Sequence, residues 1–282
     1  MGRFRSGLKL LGESWQVLKK DPELLVLTAI SLVFTVGIFG GFFLSGIWHP
    51  TASHGRIHWN ASMVWLVPVL VVGQVVGTFV SAAIIGMANI RLDGGDPTLR
   101  DGLRIAARNF PRLLGWSLFA STVGFVIRTF EERLPLAGRI SAAIAGIAWQ
   151  LATVLVIPVL LFESVGILGA LKRSATLFKQ RWGEEVTGMG GIAGVFAVFM
   201  LPVAIVGGVL IAVSPAVGIG IIVTAFVLMM VAAGAVGGIF TAALYRYAVA
   251  GEAAGPFTEG DMRNVFPRKP LSIRRWWRRR RG

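Results

Sequence analysis

A chain of 282 residues that is 55% hydrophobic and only 15% charged, with a mean hydropathy of +0.71, departs from the roughly 25% charged composition of soluble domains and reads as a membrane protein. Its net charge of +14 calls for an anionic partner, phospholipid first. The absence of cysteine excludes disulfides, thiolate metal sites and cysteine nucleophiles.

Before the first apolar run, Phe4, Leu8, Leu11, Trp15 and Leu18 recur at helical spacing, with Arg3, Arg5, Lys9, Glu13, Gln16 and Lys19 on the other side. Asp21-Pro22 ends that stretch, because proline disfavours helical geometry at the residue before it. The run that follows exceeds the usual h-region of about 7–15 residues, so no cleavable signal peptide is expected. A helix needs about 20 apolar residues to cross ~30 Å of hydrocarbon. The candidates are 24–46, 63–90, a shorter 113–127 extended by its flanks, and 140–162. From Val186 to Tyr245 no residue is charged, which suits two further spans, 186–212 and 217–245, turning near Ser214-Pro215. The expected fold is an all-α integral membrane bundle of six transmembrane helices over residues 1–250, with a basic tail over 251–282.

The first outer loop, WHPTASHGRIHW, holds His49, His54 and His58. Three imidazoles can make an open metal site, but these spacings define no ligand geometry, and an exposed polar loop is the simpler reading; no metal and no cofactor is expected. The amphipathic pattern returns before the third span, with Leu99, Leu103, Ala106, Phe110 and Leu113 on one side and Arg100, Arg104, Arg108 and Arg112 on the other. It returns again before the fifth, where Leu168, Leu171, Ala175, Phe178 and Trp182 lie opposite Lys172, Arg173, Lys179 and Arg181. The three stripes share the steps Gly7-Leu8-Lys9, Gly102-Leu103-Arg104 and Ala170-Leu171-Lys172. They predict three units, each a basic amphipathic helix at the cytoplasmic face followed by a transmembrane hairpin.

Orientation follows the lysines and arginines. With the N-terminus inside, the outer loops keep only Arg56, Arg128, Arg133 and Arg139, and every other basic residue falls inside. Both termini are therefore expected in the cytoplasm. That placement bears on the ending SIRRWWRRRRG, a sequence that would suit nucleic acid or membrane equally. At a cytoplasmic leaflet, Arg274, Arg275, Arg278, Arg279, Arg280 and Arg281 meet anionic headgroups, and Trp276 and Trp277 suit the interface. A nucleic-acid module would offer a folded basic face as well, so no nucleic-acid partner is expected.

Polar residues inside the spans are few. Gln74 and Gln150 lie about 15 Å into the second and fourth, where an amide either bonds to a neighbouring helix or lines a polar path. Glu163, at the inner end of the fourth span, either pairs with Lys172 or Arg173 or binds a cation. Glycines four apart at Gly37/Gly41, Gly73/Gly77, Gly190/Gly194 and Gly234/Gly238 allow close helix packing or dimerisation. Phosphate-loop, dinucleotide and helical zinc motifs are missing, and no nucleophile, base or metal constellation stands out, so no enzymatic activity is expected.

The segments ESWQVLKKDPELLVL, RNFPRLLGWSLFASTVGF and ATVLVIPVLLFESVGILGALKRSATLFKQRWGEE resemble an uncharacterised family of prokaryotic polytopic membrane proteins carrying a domain of unknown function. The resemblance covers roughly residues 1 to 250 and excludes the arginine tail. It implies a multi-pass fold in a prokaryotic plasma membrane and carries over no substrate or catalytic residue. The leading functional expectation is a membrane-embedded scaffold or accessory protein engaging anionic lipids and a protein partner or second copy. The alternative is a transporter or channel for a small solute or lipid.

Overall fold

The computed structural model describes residues 23–45, 51–53, 56–58, 64–133, 136–182 and 214–251, with isolated positions within 12–19 and 202–208. In chain order the elements are α1 (Glu23–Leu44), β1 (Thr51–Ser53), β2 (Arg56–His58), α2 (Leu66–Leu92), α3 (Leu99–Arg108), α4 (Phe110–Arg133), α5 (Leu136–Thr153), α6 (Val156–Phe162), α7 (Ile167–Trp182) and α8 (Pro215–Ala250). The strands form a small antiparallel hairpin in the histidine loop, pairing Thr51 with His58 and Ser53 with Arg56. Everything else in this list is helical. Among the described residues five stretches are long and apolar enough to cross a membrane: Glu23–Phe42, Leu66–Leu92, Phe110–Ile127, Ala145–Phe162 and Ile221–Ala250. Of the expected span 186–212 only isolated positions within 202–208 are described, and the whole tail from 252 onward lies outside the described residues.

The packed core occupies one end of the bundle. The buried residues of α2 are Thr78, 82 to 88 and Leu92, all in its second half. Those of α8 run from Ala235 to Ala248, and α6 contributes Val156, Val159 and Leu160. Arg91, Arg100, Lys172, Arg173 and Arg246 belong to this same end, which is therefore the basic end of the molecule. At the opposite end Val33, Phe34, Leu44, Val67, Leu70, Phe226 and Leu228 are exposed. With 36 residues, α8 is about 54 Å long, more than ~30 Å of hydrocarbon can hold even at a tilt of about 40°.

Helix α2 is central, packing against α1, α3, α4, α6 and α8. It ends in a left-handed glycine, Gly94 at φ 85°, with Gly95 N–H donating to the Ile90 carbonyl and Gly94 N–H to that of Arg91, both at 3.0 Å. The chain then turns into α3 through a capping box. The Thr98 hydroxyl accepts from Asp101 N–H at 3.3 Å, and the Asp101 carboxylate accepts from Thr98 N–H at 3.1 Å. The Thr98 hydroxyl also donates to that carboxylate at 2.6 Å, and this bond, with the one from Thr98 N–H, holds the Asp101 carboxyl below the usual carboxylate range. One further donor at this helix start, Leu99 N–H, is satisfied from the first span, by Glu23 Oε2 at 2.8 Å. Glu23→Ala is expected to expose that amide and cost about 1 kcal/mol. Hydrogen exchange of the 98–104 segment checks it, and unchanged protection would mean the two elements are not joined there.

The path of α3 is set by small residues. A Cβ on Gly102 would stand 2.6 Å from Met87 Cγ, and one on Gly86 would stand 3.0 Å from Ile105. Farther along, Phe110 meets the ring of Phe79 edge-on at 6.1 Å. Passing from Gly102 to Phe110 moves the contact from Met87 back to Phe79, equal steps in opposite directions, so α3 runs back along α2. Asn109 then breaks the helix, its carbonyl accepting from Arg112 N–H and Leu113 N–H at 3.0 Å to begin α4.

The fourth expected span, 140–162, is two helices. Helix α5 ends at Thr153 and α6 begins at Val156. The freed Leu155 N–H donates to Ser174 Oγ of α7 at 3.1 Å, and both residues are fully buried. Helix α7 thus folds back along α5 and α6 as α3 does along α2, with Ala170 and Ser174 at its contact face. The last span begins where Ser214-Pro215 predicted, with Pro215 in the first turn of α8.

Candidate functional site

The basic end carries the polar side chains that the bundle brings together, and the last turns of α8 are its hub. Tyr245 and Arg246 are consecutive, and because successive helical residues point about 100° apart they reach different neighbours. Tyr245 donates its hydroxyl to Glu163 Oε1 at 3.2 Å. The same carboxylate accepts twice from Arg173 Nε, at 3.2 and 3.1 Å. Their side chains are only 23% exposed for Glu163 and 39% for Arg173, so this pair is less screened than an open surface pair. Phe162 packs on the Tyr245 ring at 5.6 Å. On the other side Arg246 pairs with Asp93 and reaches Asn89 Oδ1 at 3.4 Å, and Arg91 pairs with Asp96 at 2.5 Å. One helix end therefore fastens the turn after α2 and the turn between α6 and α7.

Glu163 is thus drawn into an ion pair with Arg173, one of the two partners its position in the sequence offers. Gln74 and Gln150 behave differently. Both are exposed on their helices, and neither bonds to the other among the described residues. Gln74 Nε2 reaches only Thr78 Oγ1 of its own helix, at 3.5 Å, the outer limit of a hydrogen bond. Of the three histidines, His58 lies in β2, while His49 and His54 lie outside the described residues. Among the described residues no three metal-ligating side chains converge. The tail residues Arg274, Arg275, Trp276, Trp277, Arg278, Arg279, Arg280 and Arg281 also lie outside the described residues.

The glycine pairs separate on inspection. Gly234 and Gly238 are contact positions, where a Cβ would stand 2.7 Å from Thr28 and 2.4 Å from Ile84. Gly37, Gly41 and Gly77 meet nothing within 4 Å. At the opposite end an apolar cleft of about 320 Å³ opens between α1 and α2, lined by Ile38, Phe42, Trp65, Pro68, Val69 and Val72. Nothing polar in it would orient a ligand.

Residues that sequence reasoning passed over are Glu23, Asn89, Asp93, Ser174, Tyr245 and Arg246. Arg246 carried a usable signal, as the first charge after 60 uncharged positions. The others did not: their partners lie as far as 157 residues away in the chain.

No curated protein and no solved structure matches this chain. Residues 59–255 match a family described as "Family of unknown function (DUF6159)", and the chain belongs to that family.

Proposed function

We propose that this family member is a multi-pass protein of the prokaryotic plasma membrane that acts as an embedded scaffold or accessory protein rather than an enzyme. Both termini face the cytoplasm, and six helices span the bilayer, three of them preceded by basic amphipathic helices. Helix α8 exceeds the bilayer, so the packed basic end projects into the headgroup layer and beyond as a rigid headpiece. Arginines on its rim and in the tail engage anionic lipids, and the headpiece presents a surface to a protein partner or a second copy.

The observation that carries this reading is the use made of polar groups at the basic end. Glu163, Arg173 and Tyr245 bond to one another, as do Asp93 and Arg246, so these groups serve rigidity, while Arg108 and Arg112 stay exposed on the rim. The test is native mass spectrometry of the protein in nanodiscs of host lipid, beside a variant with Arg278 through Arg281 replaced by Ser. Retained anionic lipid or a stoichiometric partner is expected, with anionic lipid reduced in the variant. A bare monomer with neither would overturn the scaffold reading.

One feature favours transport of a small solute or lipid as a second reading. The fourth span is interrupted between Thr153 and Val156, and broken helices at membrane depth frame the sites of many transporters. Solute flux in liposomes that disappears in Gln74→Leu or Gln150→Leu, with folded protein undiminished, would select it.

A further inference from the structure

We infer that Arg108 and Arg112 form a clamp for the phosphate of one anionic phospholipid, a folded site separate from the arginine tail; the inference rests on the membrane-headpiece reading above. Gly102, Ala106 and Leu113 are the buried side of α3 and the start of α4, whereas Arg100, Arg104, Arg108 and Arg112 are exposed on the side away from α2. Because α3 runs back along α2 rather than across its end, Arg100, Arg104 and Arg108 descend toward the bilayer in steps of about 6 Å, and Arg112 follows in the first turn of α4.

Charge compensation divides the row. Asp101 lies 3.9 Å from Arg104, and its carboxyl is held low partly by the charges of Arg104 and Arg100. No acidic side chain pairs with Arg108 or Arg112 among the described residues, and the only acids of α4 are Glu131 and Glu132 at its far end. Arg112 is also the last charge before the apolar stretch Leu113–Ile127 and lies in the first turn of the candidate span Phe110–Ile127. A cation there cannot remain in hydrocarbon; its stem lies along the apolar boundary and its guanidinium turns up to the phosphates. The headgroup layer is about 5–8 Å deep on each side, which admits Arg112 and Arg108 and leaves Arg104 and Arg100 in water. Guanidinium groups grip phosphate oxygens in bidentate fashion, so one at the end of α3 and one in the first turn of α4, on either side of Asn109, hold one phosphodiester between them. Phe110 and Leu118, both exposed, offer apolar surface to the acyl chains below.

The experiment uses the full chain in nanodiscs of phosphatidylcholine doped with phosphatidylglycerol, released gently and weighed by native mass spectrometry. Arg108→Gln with Arg112→Gln should lose the retained phosphatidylglycerol, roughly a thirtyfold drop in apparent affinity. Arg100→Gln with Arg104→Gln removes the same charge and should retain it. Equal loss from both double variants, or retention in the first, overturns the clamp. If the first variant does not fold, Arg108→Lys with Arg112→Lys decides, because lysine keeps the charge and loses the fork: weakened retention supports the clamp and wild-type retention overturns it. Replacing Arg278 through Arg281 with Ser gives a separate arm. Retention at the clamp without these arginines separates the two sites, whereas phosphatidylglycerol retained by no form of the protein, wild type included, sinks the headpiece reading itself.

Discussion

Gly102→Val is expected to lower the thermal midpoint by about 5–10 °C, the equivalent of ~2–3 kcal/mol for a chain of this size. The first carbon of the new side chain would lie 2.6 Å from Met87 Cγ and 2.9 Å from the Ala83 carbonyl oxygen. Methionine can swing aside, but the carbonyl belongs to the backbone of the central helix and cannot. Helix α3 must therefore lift from α2, loosening its capping box and its tie to Glu23. Gly77→Ala is the control: nothing lies within 4 Å of it, so replacing a helical glycine should be neutral or stabilising by up to about 1 kcal/mol. Tryptophan fluorescence during heating in one detergent reads both. A Gly102→Val midpoint within about 1 °C of wild type would show that α3 is not seated on α2.

Glu163→Ala should have the other large effect, because it strips two groups at once. Arg173 loses its carboxylate and Tyr245 loses the acceptor of its hydroxyl. A fully buried pair broken this way costs about 3–5 kcal/mol; the partial exposure of both side chains reduces that to about 1–2 kcal/mol. In a double-mutant cycle with Arg173→Gln the coupling should be about 0.5–2 kcal/mol, and a value near zero would refute the pairing. Glu163→Gln helps to separate the two functional readings. The amide oxygen still accepts from Tyr245, so the scaffold loses little, while a transporter that uses the carboxylate to bind a cation or proton would stop.

Much of this architecture was legible in the chain. Hydropathy marked the five apolar helices that the described residues contain, and Ser214-Pro215 marked the start of the last one. The stripes around Gly102 and Ala170 flagged two helices that fold back on the span before them. What they did not convey was direction. Amphipathicity says that a helix has one side to bury, and the same pattern suits a helix lying flat at an interface or one leaning along its neighbour. Here Gly102, Gly86 and Ala83 let two backbones approach closely, and that selects the second.

The site was less legible for a related reason. Apolar length, basic sidedness and turn residues are local properties that add along the chain, and residues 1 to 250 display them without reference to any partner. Contacts are not local. Nothing near Glu163 distinguishes Arg173 from Lys172 as its partner, and nothing near Tyr245 announces a bond 82 residues back. Equally, Gly37/Gly41 and Gly234/Gly238 are the same pattern, yet only the second pair meets neighbouring side chains. Those choices are made when the helices pack, because a hydrogen bond or a close approach depends on which two surfaces meet and at what register, and the folded bundle alone sets both.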